Sequence, residues 1–214
     1  MPLSVGTSPN EILVEGSNDE HVIRNLCKVH ALSANFRVRV PDHGGGIDKL
    51  LAVLPVVLKS SDLRALAIVV DADQDVQARW DALRSRLHKG GYHSAPAHLV
   101  PDGWISSEEE LFKVGAWIMP DNSSTGMLED FVTHLVPEND PLLPEATSVL
   151  QNLEGRGLNR YPILHHPKAL IHTWLSWQEK PGMPMGLAIT ARVLDHDQTI
   201  ANDFVQWIQR LFGA

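Results

Sequence analysis

Two short apolar runs, each closed by acidic residues, decide the fold of this chain: Ile12-Leu13-Val14-Glu15-Gly16 and Ile68-Val69-Val70-Asp71-Ala72-Asp73. Aliphatic runs of this length, bounded by turn residues, are typical of strands that are buried on both faces. If the two strands lie parallel in one sheet, their carboxyl ends meet at the edge where open α/β sheets bind ligands. The sequence therefore predicts that Glu15, Asp71 and Asp73 converge on one acidic patch.

Strand and helix patterns alternate through the first part of the chain. Residues 36–40 alternate with the period of a strand, 97–100 and 114–119 are two further strand candidates, and Ser17 and Glu20 have the spacing of a helix capping box. Such alternation is typical of right-handed crossovers that build a parallel sheet. We predict an α/β fold with a parallel-sheet core, sandwiched by helices, over residues 9–120.

The pattern becomes helical beyond Pro120. Apolar residues recur at helical spacing around 128–135, 170–177 and 200–211. These stripes need a surface to cover, so residues 121–214 are predicted to form a C-terminal helical extension packed on the core. The extension is either a separate domain or part of a single one.

Composition limits the classes of function. The 18 basic and 26 acidic residues give a net charge of −8, which argues against tight, metal-free, non-specific binding to nucleic acid. Cys27 is the only cysteine, so an intrachain disulfide is excluded, and the 11 histidines show no zinc-ligand spacing. The sequence also lacks a secretory signal and a run long enough to span a membrane, so we expect a cytoplasmic protein.

The acidic patch has a chemical interpretation of its own. Clustered carboxylates repel one another unless a proton or a cation lies between them, and Mg²⁺ prefers oxygen ligands. Asp71 and Asp73 can hold one ion, while Glu15 can bind it or act as a general acid or base. Acidic residues that follow strands also cap the helices that come next. Asp71 could therefore be a helix cap instead of a metal ligand, and Asp75 is expected to cap the third helix.

The order of these motifs resembles the Toprim domain, the metal-binding catalytic module of topoisomerases, bacterial primases, the ribosomal-RNA maturase M5 and OLD-type nucleases. The resemblance rests on Glu15-Gly16 after the first strand and on Asp71-x-Asp73 after the third. Over its whole length the chain is similar to DUF3226, a small bacterial Toprim-related family. The stretches that carry this similarity are residues 117–122, 126–130 and 168–175.

The resemblance implies a phosphotransfer enzyme that depends on Mg²⁺ or Mn²⁺, with a nuclease acting on DNA or RNA as the leading interpretation. Nuclease-type relatives recruit further acids, for which Asp19, Glu129 and Asp130 are the candidates here, and they can act with an ATPase or another protein partner. The resemblance also makes Lys168 the candidate for the lysine that OLD-type nucleases use as a transition-state cation, with an ordinary surface or ion-pairing lysine as the alternative.

Three alternatives stand beside the nuclease. The chain could be a non-catalytic Toprim-like module that binds a nucleotide, a nucleic-acid end or a protein. A phosphoacceptor role for Asp71 fits poorly, because such domains carry acids after the first strand and a lysine after the fifth. A haloacid-dehalogenase phosphatase places its Asp-x-Asp after the first strand, not the third. Separation of the three acids, or their neutralisation by buried arginines, would remove the case for a metal site.

Overall fold

A computed structural model of the protein describes residues 8–32, 36–41 and 44–213. Five strands are present in this part of the chain: β1 (Asn10–Val14), β2 (Phe36–Arg39), β3 (Ala65–Asp71), β4 (Trp104–Ile105) and β5 (Lys113–Met119). The α-helices are α1 (Ser17–Val29), α2 (Ile47–Val57), α3 (Val76–Lys89), α4 (Leu128–Thr133), α5 (Leu142–Gly155), α6 (His166–Ser176), α7 (Met185–Thr190) and α8 (Thr199–Phe212). A short 3₁₀ helix, Ile163–His165, leads directly into α6.

The strands form one sheet in the order β2-β1-β3-β5-β4. All neighbouring pairs are parallel except β4 and β5, which are antiparallel. The prediction of an α/β fold with a parallel-sheet core between helices is confirmed. Because β1 has β2 on one side and β3 on the other, the chain reverses its direction of winding between β1 and β3.

Alternate residues of the central strands face two different helix layers. On one face Leu66, Ile68 and Val70 of β3 join a buried cluster with α2 and α3. On the opposite face Ala67 and Val69 join a larger cluster that includes α1 and the helices from α4 to α8. This period of two explains why β3 reads as an unbroken apolar run, since both of its faces are covered.

Helices α4 to α8 cover the sheet face that carries α1. In α8, Phe204 and Trp207 lie against Trp117 of β5, with ring centroids 5.3 and 5.6 Å from it. Helix α7 approaches α1 so closely that a Cβ on Gly186 would lie 2.6 Å from the carbonyl oxygen of His21. No helix in the described part of the chain is long and apolar enough to cross a membrane.

Local expectations have mixed outcomes. Residues 97–100 are not a strand; the backbone there is irregular, and the carbonyl of Ala97 accepts a hydrogen bond from Gln77 of α3. The capping box predicted at Ser17 is also wrong, because Gly16 is the N-cap of α1 and no side chain caps that end. The expected cap of α3 is confirmed: Asp75 accepts the N–H of Ala78 at 2.9 Å.

Candidate functional site

The candidate site lies at the carboxyl ends of β1 and β3, where the winding of the sheet reverses. Val14 is the last residue of β1 and pairs with Val69, so Glu15 emerges beside the end of β3. Asp71 is the final residue of β3. Crevices at such reversal points are where open α/β sheets bind their ligands.

Glu15 and Asp71 are in direct contact. Oε1 of Glu15 accepts the backbone N–H of Asp71 at 2.9 Å. Oδ1 of Asp71 in turn accepts the backbone N–H of Leu128, the first residue of α4, at 2.8 Å. The carboxyl group of Asp71 therefore fastens α4 to the end of β3, and both acids are held by the backbone in fixed positions.

Two further acids complete a group that we call the carboxyl cluster: Glu15, Asp19, Asp71 and Glu129. Asp19 lies in the first turn of α1 and is 7% exposed, and Glu129 lies in the first turn of α4 and is 3% exposed. The Oδ1 atom of Asp19 is buried and has no hydrogen-bond partner in the described residues. Buried polar atoms nearly always have such a partner, so this oxygen is available to a ligand.

Burial and mutual repulsion raise the pKa values of Asp19, Asp71 and Glu15. Burial raises the pKa of Asp19 to about 7, and the negative charges of Glu15 and Glu129 add to the shift. The pKa of Asp71 is raised well above its ordinary value by burial and by the charges of Asp19, Glu15 and Glu129. Burial also raises the pKa of Glu15, although the N–H of Asp71 and the charge of Arg79 oppose that shift. The cluster therefore favours a bound proton or cation.

Asp73 differs from the other two acids of the predicted triad. Its side chain is 50% exposed, and its Oδ2 lies 2.5 Å from Nη2 of Arg79, whose own side chain is 13% exposed. Asp73 is therefore neutralised by a largely buried arginine, whose charge also acts on Glu15. The backbone of Asp73 exchanges two hydrogen bonds with Gly126, which draws the loop before α4 toward the end of β3.

The remaining predicted residues lie around α4. Nζ of Lys168 is 3.2 Å from Oε1 of Glu129, so this half-exposed lysine pairs with a buried member of the carboxyl cluster. Oδ2 of Asp130 accepts the N–H of Met127 at 2.8 Å and closes the first turn of α4. Burial raises the pKa of Asp130, and the charge of Glu129 adds to the shift.

The loop that contains Gly45 and Gly46 packs directly on the site. The N–H of Gly46 donates to the carbonyl oxygen of Glu15 at 2.7 Å. A Cβ on Gly45 would lie only 2.2 Å from the same oxygen, and the φ of Gly45 is +71°. This is a close contact that only glycine allows.

A cleft of about 970 Å³ opens beside the carboxyl cluster. Its wall includes Ala72 and Asp73, which follow Asp71, and Met127, which precedes α4. Arg79 also lines it, on the first turns of α3. Sequence reasoning missed Arg79; its position one turn beyond the Asp75 cap, on the helix that follows the Asp-x-Asp motif, was the available signal.

The carboxyl cluster is not a closed metal cage. In residues 8–32, 36–41 and 44–213, no group of three or more His, Cys, Asp or Glu side chains is arranged so that it could hold a metal ion. The donors nevertheless suit a hard ion, because all are carboxylate oxygens and one of them, Oδ1 of Asp19, is buried without a partner. Such a site fits an ion that takes part of its coordination from water and from a phosphate.

Comparison with known proteins identifies the family. A family described as a protein of unknown function, DUF3226, matches residues 9–213. The chain belongs to the DUF3226 family. Among solved structures, this DUF3226 protein is similar to the C-terminal region of the OLD protein of Xanthomonas campestris pv. campestris, with 14% identity, 98% of each chain covered and a TM-score of 0.45. A likeness of this size carries no activity over to the chain. No curated protein matches the sequence.

Proposed function

We propose that this DUF3226 protein is a Toprim-type phosphodiesterase that uses Mg²⁺ or Mn²⁺ to hydrolyse DNA or RNA. The observation that carries the proposal is the contact of Glu15 with Asp71 at the sheet's reversal point, with the unpartnered buried oxygen of Asp19 in the same cluster. The order of the motifs, Glu15-Gly16 after β1 and Asp71-x-Asp73 after β3, supports the Toprim assignment.

Glu15 and Asp71 are the residues proposed to hold the ion, with Asp19 beside them. Mg²⁺ is commonly bound through one or two carboxylates, with waters and substrate phosphate completing the octahedron. An open pair of carboxylates is therefore compatible with this ion even without a third protein ligand. When bound, the ion would stabilise the negative charge that builds up on the phosphate oxygens.

The reaction is hydrolysis of a phosphodiester. A water oxygen bonds to phosphorus, the bond from phosphorus to one sugar oxygen breaks, and the water proton is transferred so that the sugar oxygen leaves as a hydroxyl. Glu15 is proposed to accept the water proton as an alternative to holding the ion, since burial raises its pKa and makes its carboxylate a stronger base. Lys168, which lies on Glu129 at the edge of the cluster, is proposed as a cation for the transition state.

A cleavage assay tests the proposal. Single-stranded and duplex DNA and RNA are incubated with the protein and Mg²⁺ or Mn²⁺, and the wild type is compared with Glu15→Gln and Asp71→Asn. The matched controls are Glu138→Gln and Asp203→Asn, which change exposed acids elsewhere. We expect the two site variants to lose cleavage and the controls to keep it; equal cleavage by all five proteins, or none by the wild type, rejects the proposal.

A second candidate is a binding module without turnover. Two observations favour it. In the described residues, no group of three metal-ligating side chains is arranged to hold an ion, and Asp73 is already paired with Arg79. Calorimetric titration with Mg²⁺, compared with the result of the cleavage assay, separates the two candidates. A protein that binds the ion through Glu15 and Asp71 and cleaves nothing is a binding module.

A further inference from the structure

We infer that the substrate of this site is single-stranded nucleic acid, and that the cleft beside the carboxyl cluster receives one or two of its nucleotides, with Arg79 on a phosphate. The inference rests on the proposed function, because it names the substrate class of the same site. It draws on the size, the lining and the charges of the cleft.

The volume of the cleft indicates the size of its ligand. Pockets of roughly 300–1,000 Å³ receive one small ligand and bury most of its surface. At about 970 Å³ the cleft has room for one or two nucleotides. A base that enters such a pocket must leave the double helix, which costs a few kcal/mol of unstacking and unpairing unless the strand is already single.

The wall of the cleft combines apolar surface with a few polar groups. Ala78 and Ala82 of α3 form one side, and Met127 and Leu164 contribute larger apolar side chains. Leu164 is 52% exposed although it is apolar, and the neighbouring Ile163 is 63% exposed. Nucleobases are flat and largely apolar on their faces, so apolar walls of this kind favour an unstacked base over a phosphate.

The three aspartates that line the cleft are already engaged. Asp73 is paired with Arg79, Asp75 accepts the N–H of Ala78, and Asp130 accepts the N–H of Met127. Each of these aspartates therefore already has a partner within the protein. The negative charge that remains at the cleft wall makes phosphate binding more favourable when a divalent cation is present.

Arg79 supplies the positive charge. It is the one lysine or arginine among the described residues that line the cleft. Its side chain is 13% exposed and its Nη2 pairs with Asp73, which also lines the cleft, so the guanidinium places a positive charge at the cleft wall. A planar guanidinium beside apolar walls suits a phosphate next to an unstacked base.

Binding is tested apart from cleavage, with Ca²⁺ in place of Mg²⁺. The probes are a labelled strand of about 12 nucleotides, within the roughly 4–16 that single-strand sites cover, and the blunt duplex of the same sequence. Each is made as DNA and as RNA, so that the assay also separates these two sources of single strand. Affinities are measured by fluorescence anisotropy.

Two variants probe the cleft and one controls for them. Ala78→Trp places a large side chain at an exposed position in the cleft wall, and Arg79→Gln removes the positive charge of the cleft. The control, Ala52→Trp, introduces a tryptophan at an exposed position of α2 that lines a different pocket. Melting temperatures confirm that each variant is folded.

We expect the wild type to bind the single strand at least about tenfold more tightly than the duplex, a difference of about 1.4 kcal/mol, because a base of the duplex must first be unpaired and unstacked. Ala78→Trp and Arg79→Gln should each lose this preference, and Ala52→Trp should keep it. Equal affinity for strand and duplex, or an unchanged preference in folded Ala78→Trp, overturns the inference.

The two proposals fail in different ways. Preferential binding of the strand without cleavage in Mg²⁺ or Mn²⁺ overturns the phosphodiesterase and leaves the single-strand site standing. Cleavage that depends on Glu15 but proceeds equally fast on blunt duplex overturns the single-strand site alone.

Discussion

At the scale of single residues, the site is defined by acids that the fold buries near one another. Asp19 is the clearest case, because its Oδ1 is buried without a partner and its pKa is raised to about 7. A buried carboxylate without a partner destabilises the fold when it ionises. The same group is stabilised when a proton or cation neutralises it.

We predict that Asp19→Asn stabilises the metal-free protein at pH 8. Asparagine keeps the shape of the side chain but removes the charge that repels Glu15 and Glu129. The melting temperature in EDTA should rise by several degrees, since each kcal/mol corresponds to about 2–4 °C for a chain of this size. At pH 5, where Asp19 is protonated, wild type and variant should melt alike; an equal difference at both pH values would contradict the electrostatic cause.

Lys168 gives a second prediction at this scale. Its Nζ is 3.2 Å from the buried carboxylate of Glu129, so Lys168→Gln leaves that charge without its cation. The lysine is half exposed, so we expect a loss of about 1–2 kcal/mol in the free energy of unfolding, below the figure for a fully buried pair. Urea denaturation measures it, and Lys180→Gln, at an exposed position, should show no change.

At the scale of elements, loops and caps position α4 against the sheet. Gly126 exchanges backbone hydrogen bonds with Asp73, and Asp71 binds the first N–H of α4. The φ of Gly126 is +141°, and a Cβ there would lie 2.7 Å from Oδ2 of Asp130. This glycine lets the loop carry Glu129 to the carboxyl cluster.

Gly126→Ala should therefore destabilise the protein by about 1–3 kcal/mol, the range for a residue forced into a sparsely populated backbone conformation. Gly155, the last residue of α5, gives the contrast, because no atom lies within 4 Å of a Cβ there. We expect Gly155→Ala to stabilise by about 0.4–1 kcal/mol. Chemical denaturation of both variants makes the comparison, and equal effects would show that the loop conformation is unimportant.

The elements that the sequence predicted well are those whose pattern is local. Strands β1, β3 and β5 read as aliphatic runs because both faces of each are buried. Residues 97–100 also read as a strand from their apolar side chains, but this stretch is largely exposed, and the carbonyl of Ala97 bonds the side chain of Gln77 in α3. The meeting of Glu15 and Asp71 followed from the parallel order, whereas the pairing of Asp73 with Arg79 depends on side-chain directions that no spacing reveals.

At the scale of the whole molecule, two sets of acids respond to pH in opposite ways. Asp19, Asp71, Glu15 and Asp130 have raised pKa values in the folded protein. The folded state then binds more protons than the unfolded state, so the stability that protonation provides is lost as pH rises from the ordinary carboxyl range toward about 7. Backbone and side-chain hydrogen bonds to serines lower the pKa values of Glu108 and Asp121, so their contribution is lost as pH falls below their ordinary range.

We therefore predict that the metal-free protein is most stable at mildly acidic pH and melts at lower temperature both at pH 3 and at pH 8. Mg²⁺ should raise the melting temperature at pH 8 and have little effect at pH 5, because Asp19, whose pKa is raised to about 7, then binds a proton in place of the ion. Calorimetry across this range with EDTA or Mg²⁺ tests it, and the Asp19→Asn, Asp71→Asn double variant should lose the response to Mg²⁺. A response of equal size at both pH values would contradict the link between protons and the ion.

The contact of Gly45 with Glu15 also has a consequence for which residues the family retains as its sequences diverge. Any side chain at position 45 would meet the main-chain oxygen of residue 15, whatever acid or neutral group residue 15 carries. Family members without the proposed activity can replace Glu15, yet they must still keep glycine at position 45 because the main-chain oxygen of residue 15 leaves no room for a side chain. Divergent DUF3226 sequences should therefore hold on to this glycine longer than to the acid it touches.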